Sequence, residues 1–211
     1  MNIENEAIDT MKAFVSGQMS AEDFWKEFKA SETIRNILIN DEEKWEKEKA
    51  TESGSAWFST TQSVYENVKN IKSYKDSERL HWIVRKYILR NQIPVNIDNF
   101  YSDRFDFLIN IQPDWLDVEN EEFLINEIIN KIPGDIKTKS QKIRWCKDKI
   151  KEYFKYDKTP PRWIQNPEWP IVDGRPLVFK SQSREREDDE QVCFYFYDPD
   201  TKQETVVTQF Y

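Results

Sequence analysis

Between residues 160 and 182 the chain reads PPRWIQNPEWPIVDGRPLVFKSQ, and no regular helix can run through it. Pro160, Pro161, Pro167, Pro170 and Pro176 each remove a backbone donor and fix φ. Trp163, Trp169 and Gly174 are set among them. Tryptophan and proline at this density specify a rigid aromatic loop, which either plugs a core or presents a binding surface. The segment also marks a change of character along the chain, from helical periodicity before it to strand-like runs after it.

Upstream, helix follows helix. The spacing of Ala7, Ile8, Met11, Phe14 and Val15 predicts a helix over Glu4–Ser16, stopped by Gly17. Ser20 is the expected N-cap of a second helix with Phe24, Trp25 and Phe28 on its apolar face, and Asp23 holds the capping-box position. Ser31 is expected to cap a third, carrying Ile34, Ile37, Leu38 and Ile39. The charged run DEEKWEKEKATESGS then reads as an exposed helical end and a connection, anchored at Trp45. A fourth helix is expected over Ala56–Ile71, using Trp57, Val64, Tyr65, Val68 and Ile71. A fifth is expected to be capped by Asp76, with Leu80, Ile83, Val84, Tyr87 and Ile88 inward, and Pro94 prevents its continuation. Residues 97–111 and 120–132 predict two more helices. The last, Thr138–Tyr156, sets Ile143, Cys146, Ile150, Tyr153 and Phe154 inward and its lysines outward.

After Lys158, three runs rich in β-branched and aromatic residues suit strands: Pro176–Ser183, Gln191–Tyr197 and Glu204–Tyr211. Asp198-Pro199-Asp200-Thr201 predicts a tight turn between the last two. A three-stranded sheet is too small to stand alone, and helices are its natural cover. The expected fold is therefore α+β, an irregular N-terminal helical bundle with a small C-terminal antiparallel sheet packed on it. The helical region is expected over residues 1–157, and the Trp/Pro segment with its sheet over 158–211, as one integrated domain.

Composition bounds the function. Eight Trp, nine Tyr and thirteen Phe set against a mean hydropathy of −0.84 describe a ring-rich core under a charged surface, unlike a disordered chain. No apolar run is long enough for a membrane span. The N-terminus, MNIENEAIDTMKAF, lacks the basic-then-apolar order of a secretory signal, so cytoplasmic residence is expected. Cys146 and Cys193 form neither a disulfide framework nor a zinc pattern and are expected to be free thiols. The net charge of −8 is unevenly placed. Residues 1–54 hold thirteen Asp and Glu against seven Lys and Arg, whereas residues 137–162 hold ten Lys and Arg against three Asp and Glu.

Catalytic chemistry has little purchase here. His81 is the single histidine and stands beside core positions without an evident partner, so a structural role is expected. Carboxylate pairs such as Asp103 with Asp106, or Glu121 with Glu122, are the pairs that 39 acidic residues produce on solvated faces. Phosphate-cradling loops are hard to build from four glycines. No enzyme activity, cofactor or metal is expected. The basic stretch Lys137–Arg162, with Trp145, Tyr153, Phe154 and Tyr156, is the raw material of a nucleic-acid-binding helix, although its aromatics sit at ordinary apolar spacing. A solvated lysine face is the preferred reading, and nucleic acid is not the expected partner. The run Glu185, Glu187, Asp188, Asp189, Glu190 is either a soluble hairpin connection or a docking element for a basic surface. Trp163 and Arg175 are candidate anchors beside it, while Trp169, between two prolines, is expected to seal sheet against helices.

The pattern W-x5-W-P-x3-G-x-P-L-x-F-x-x-Q from Trp163 to Gln182, followed by VCFYFYDPDT and the closing VVTQFY, resembles the C-terminal portion of bacterial proteins of the immunity type. Such proteins are encoded beside polymorphic or contact-dependent toxins. The opening FVSGQMSAEDFWKEF is similar in style to small bacterial proteins of the same genomic setting. The resemblance implies a non-enzymatic protein that neutralises a toxin domain by occlusion, with a basic domain encoded nearby as its partner. The alternative is a small-molecule or nucleic-acid-binding module using the Trp163 region or the lysine-rich helix 138–156. No toxin contact is carried over residue by residue; the tentative partner-binding set is Trp163, Arg175, Glu185, Glu187, Asp188, Asp189 and Glu190.

Overall fold

A computed structural model describes residues 3–49, 60–69, 71–117, 120–183 and 190–211. The fold is α+β, with helices first and a small antiparallel sheet at the C-terminus. The chain divides into two compact units, Met1–Phe105 and Asp106–Tyr211. The change from helix to strand expected near residue 157 falls inside the second unit.

The first unit holds α1 (Ile3–Val15), α2 (Ala21–Ala30), α3 (Glu32–Lys49), α4 (Thr61–Asn67) and α5 (Tyr74–Arg90), and α6 (Phe100–Ile111) begins at its end. Its core is aromatic. Phe14 of α1 and Phe24 of α2 stack with centroids 4.3 Å apart, and Phe28 continues the column. Met11, Leu38, Leu80, Ile83 and Ile88 close around them. The caps follow the side-chain chemistry. The Ser20 hydroxyl accepts from the Asp23 N–H at 3.1 Å, and the Ser31 hydroxyl accepts from the Ile34 N–H at 3.2 Å. At the C-terminus of α2, the Arg35 guanidinium donates to the carbonyls of Phe28 and Lys29, both at 2.7 Å. Gly17 has φ 75°, and a Cβ there would meet the Asp98 carboxylate at 2.6 Å, so this turn requires glycine.

Two expected boundaries shift. The helix at α5 is capped by Ser73, whose hydroxyl accepts from the Asp76 N–H at 3.0 Å, and not by Asp76. Starting one turn earlier buries Tyr74, and Asp76 bonds Arg79 instead. The expected helix Ala56–Ile71 is seen as α4; Ala56 and Trp57 lie outside the described residues.

In the second unit, residues 121–131 form α7 (Glu121–Phe123), which opens into a π turn over Leu124–Ile128 and closes as a 3-10 turn over Ile129–Lys131. A uniform helix was the expectation. The wider turn lets Phe123, Leu124 and Ile128 all be buried, since residues five apart align on a π turn. α8 (Lys139–Tyr153) starts from a full capping box between Thr138 and Gln141. Cys146, Ile150 and the following Phe154 are buried, whereas Tyr153 is 37% exposed. A short hairpin, β1 (Ile171–Val172) with β2 (Arg175–Pro176), precedes the sheet of β3 (Val178–Gln182), β4 (Gln191–Tyr197) and β5 (Glu204–Phe210). The order is β3-β4-β5, all antiparallel, with a bulge between Phe179 and Ser181. The predicted turn joins β4 to β5, its Asp198 carboxylate accepting from the N–H groups of Asp200 (2.7 Å) and Thr201 (3.1 Å). Those two bonds hold the Asp198 carboxyl below its ordinary pKa. Val192, Phe194 and Phe196 form the inner face of the sheet.

His81 lies in the first core at 1% exposure, edge-on to Phe14. Burial pushes its pKa down to about 4, opposed in smaller measure by the Val15 carbonyl. The unfolded imidazole titrates near its ordinary value of 6.5, so below that pH the unfolded chain takes the proton first. Stability should be full above pH 6.5 and fall by about 3 kcal/mol as pH drops to 4. Urea unfolding across this range should show the loss, and His81→Leu should flatten it.

Candidate functional site

The Trp/Pro segment is pinned from both sides by side chains that reach its backbone. The Gln209 side chain, 1% exposed, accepts from the Ile164 and Gln165 N–H groups at 3.1 and 3.0 Å and donates to the Asn166 carbonyl at 2.7 Å. The Gln182 amide accepts from the Arg162 N–H at 2.8 Å. Irregular backbone rich in proline cannot satisfy itself, and these two glutamines replace the missing ladder. Asp173 and Gly174 then turn the chain with φ 48° and 72°, the positive pair that a two-residue hairpin turn uses.

Trp169 is 3% exposed and donates its indole N–H to the Leu177 carbonyl at 2.8 Å. Its ring meets Trp115 (5.2 Å), Phe154 (5.5 Å) and Phe196 (5.4 Å), so it links the end of α8 to the inner face of the sheet. Trp163 is half-buried. Its ring lies on Phe194 at 4.4 Å and its indole N–H donates to the Trp115 carbonyl at 3.0 Å. Arg175 is exposed and bonded to Asp200 and, at 3.4 Å, to Asp198, which raises its pKa further. Glu190 is exposed, and its backbone carbonyl accepts from the Tyr211 N–H at 3.1 Å. Glu185, Glu187, Asp188 and Asp189 lie outside the described residues. Arg175 reaches Asp198 and Asp200, past the Tyr197 end of β4, whereas Glu190 precedes its Gln191 end. The described members of the expected partner-binding set therefore do not converge. The Cys146 thiol is pushed up to about 11 by burial, which makes it unreactive.

Two features escaped the sequence reading. A groove of about 380 Å³ lies between the π turn and the β1–β2 hairpin, lined by Asn120, Glu122, Phe123, Asn126, Glu127 and Ile171. A second, of about 430 Å³, has Phe107, Ile129, Ile132 and Ile136 for walls and Lys137 and Lys142 among its lining residues. The Asp-Gly pair at 173–174 was the available signal for the hairpin that shapes the first. No such signal marks a π turn. Compared with known proteins, the chain matches no family model, no curated protein and no solved structure.

The packing separates Trp169 from Arg175. Trp169→Ala should cost about 3–5 kcal/mol in urea unfolding, whereas Arg175→Ala, at an exposed pair, should cost less than about 1 kcal/mol.

Proposed function

We propose that the chain is a non-enzymatic protein-binding protein of the immunity type, which neutralises a basic partner domain by occlusion. The observation that carries this reading is the excess of acidic over basic residues on α1–α3. Glu6, Glu22, Glu27, Glu32, Glu43 and Glu46 are exposed and carry no salt bridge among the described residues. An excess of negative charge speeds encounter with a cationic domain and disfavours nucleic acid and anionic lipid. Trp163 and Trp169 are engaged in packing, which supports recognition through the charged surface. The resemblance of the C-terminal segment to immunity-type proteins supports the same reading.

Co-expression with the product of the neighbouring gene tests it. A stoichiometric complex, weakened as salt rises, is expected, together with relief of toxicity. A product that is harmless alone and never co-purifies with this chain would contradict the proposal.

One observation favours a second reading. Lys139, Arg144, Lys147, Lys151, Lys155 and Lys158 are exposed on and after α8 without a salt bridge among the described residues. Fluorescence anisotropy with a single-stranded and a double-stranded oligonucleotide decides between the two. The protein-binding reading expects no association at about 0.15 M salt. Tight binding that falls steeply with added salt would favour a nucleic-acid module.

A further inference from the structure

The three-stranded sheet has two edges, and the fold treats them differently. Along β3 the chain at Lys155–Asp157 covers the edge. The Phe179 N–H donates to the Lys155 carbonyl at 2.9 Å, the Asp157 N–H donates to the Phe179 carbonyl at 3.0 Å, and a bulge follows Phe179. Coverage and bulges are what proteins use to stop a further strand from adding to a sheet. β5 has neither device. Its seven residues pair with β4 without a register break and include no proline and no lysine. Its one charge, Glu204, stands at the end of the strand and pairs with Lys180.

The register shows which backbone groups this leaves open. The Asp198 N–H donates to the Gln203 carbonyl at 3.0 Å, and the Tyr211 N–H donates to the Glu190 carbonyl at 3.1 Å. Hydrogen-bonded pairs alternate in an antiparallel ladder, so Thr205, Val207 and Gln209 bond β4 while Glu204, Val206, Thr208 and Phe210 point their N–H and C=O groups away from it. The Phe210 carbonyl accepts from Gln165 Nε2 at 2.6 Å. The backbone groups of Glu204, Val206 and Thr208 have no hydrogen-bond partner among the described residues. The side chains of these residues are on the outer face, where Glu204 and Thr208 are exposed, Val206 is 50% exposed and Phe210 56%. Donors and acceptors in strand register, beside exposed apolar side chains, fit another strand.

β5 itself supplies a matching one. An antiparallel pair about a two-fold axis at Val206 sets Val206 against its own copy and Glu204 against Thr208 of the second copy. This register uses every open group of Glu204, Val206 and Thr208 and leaves the occupied Phe210 carbonyl alone. An axis at Val207 would need that carbonyl, and an axis at Glu204 would set two carboxylates face to face. On the outer face the two Val206 side chains meet, each with Tyr195 of its own β4 as the cross-strand neighbour. We infer that β5 is a self-association edge, through which two copies of the chain pair antiparallel over Glu204–Thr208 and join their sheets into one. The inference is independent of the partner reading above.

Sedimentation equilibrium of the full chain, from low to high micromolar concentration, tests it and should show a reversible monomer–dimer equilibrium. The Val206 N–H points away from β4, so Val206→Pro breaks no bond of the monomer and removes the central pair of the dimer. Val206→Lys sets two ammonium groups on the axis. Each variant should raise the dimer dissociation constant by about tenfold or more. Where the proline variant loses its circular dichroism, the lysine variant decides alone. Mild oxidation reads the register: in a Cys193→Ser background, Val206→Cys should form a disulfide between copies. Glu204→Cys should not, because its two copies lie about 13 Å apart along the strands. A chain that stays monomeric, a dimer that the folded variants leave as tight as the native one, or Glu204→Cys cross-linking as readily as Val206→Cys would each overturn the assignment.

Discussion

The indole of Trp169 has to bury a large ring and satisfy a polar N–H at the same time, and the second unit is arranged around that requirement. The Leu177 carbonyl takes the N–H, and the rings of Trp115, Phe154 and Phe196 take the faces. Leu177 can offer its carbonyl because the β1–β2 hairpin returns the chain beside Pro170, where the Leu177 N–H bonds the Pro170 carbonyl at 3.0 Å. Proline on both sides of the tryptophan limits the backbone it can adopt, so little conformational freedom is lost on folding. A sheet of three strands buries only one face, and this wedge supplies much of what that face packs against.

The same arrangement explains why the aromatic segment is a poor place to seek a ligand. Trp163 lies on Phe194 and bonds the Trp115 carbonyl, so both its face and its N–H are engaged. The fold leaves open the carboxylates of α1–α3, the lysines of α8 and the groove beside the π turn, together with apolar side chains such as Leu89, Phe100, Val206 and Phe210. In the first unit a stacked pair, Phe14 on Phe24, plays the organising part, with His81 buried against it as a neutral ring.

Much of this was legible before any coordinates. Ser20 and Ser31 announce their helices because a hydroxyl ahead of an apolar period has one good use. The strands β4 and β5 and the Asp198 turn are equally plain, since alternating aromatic and β-branched residues around an Asp-Pro-Asp-Thr turn leave few alternatives. The misses have local causes. Asp76 looked like a cap because Tyr74 was not counted as core. The π turn was invisible because 3.6-residue periodicity is assumed in any helical reading, and only packing shows that Phe123 and Ile128 must share a face. The hairpin at Asp173-Gly174 was signalled but lay inside a segment taken as a single loop.

The central claim is that the tryptophan–proline segment is a buried packing element that holds the second unit together. Hydrogen exchange at the indole N–H groups of Trp163 and Trp169 tests it most directly. Trp169 should exchange only through opening on the scale of global unfolding, and Trp163 should be protected as well, since both donate to backbone carbonyls within the aromatic cluster. Exchange of both indoles at the rate of a free tryptophan in the folded protein would contradict the claim and return the segment to the surface as a candidate binding site.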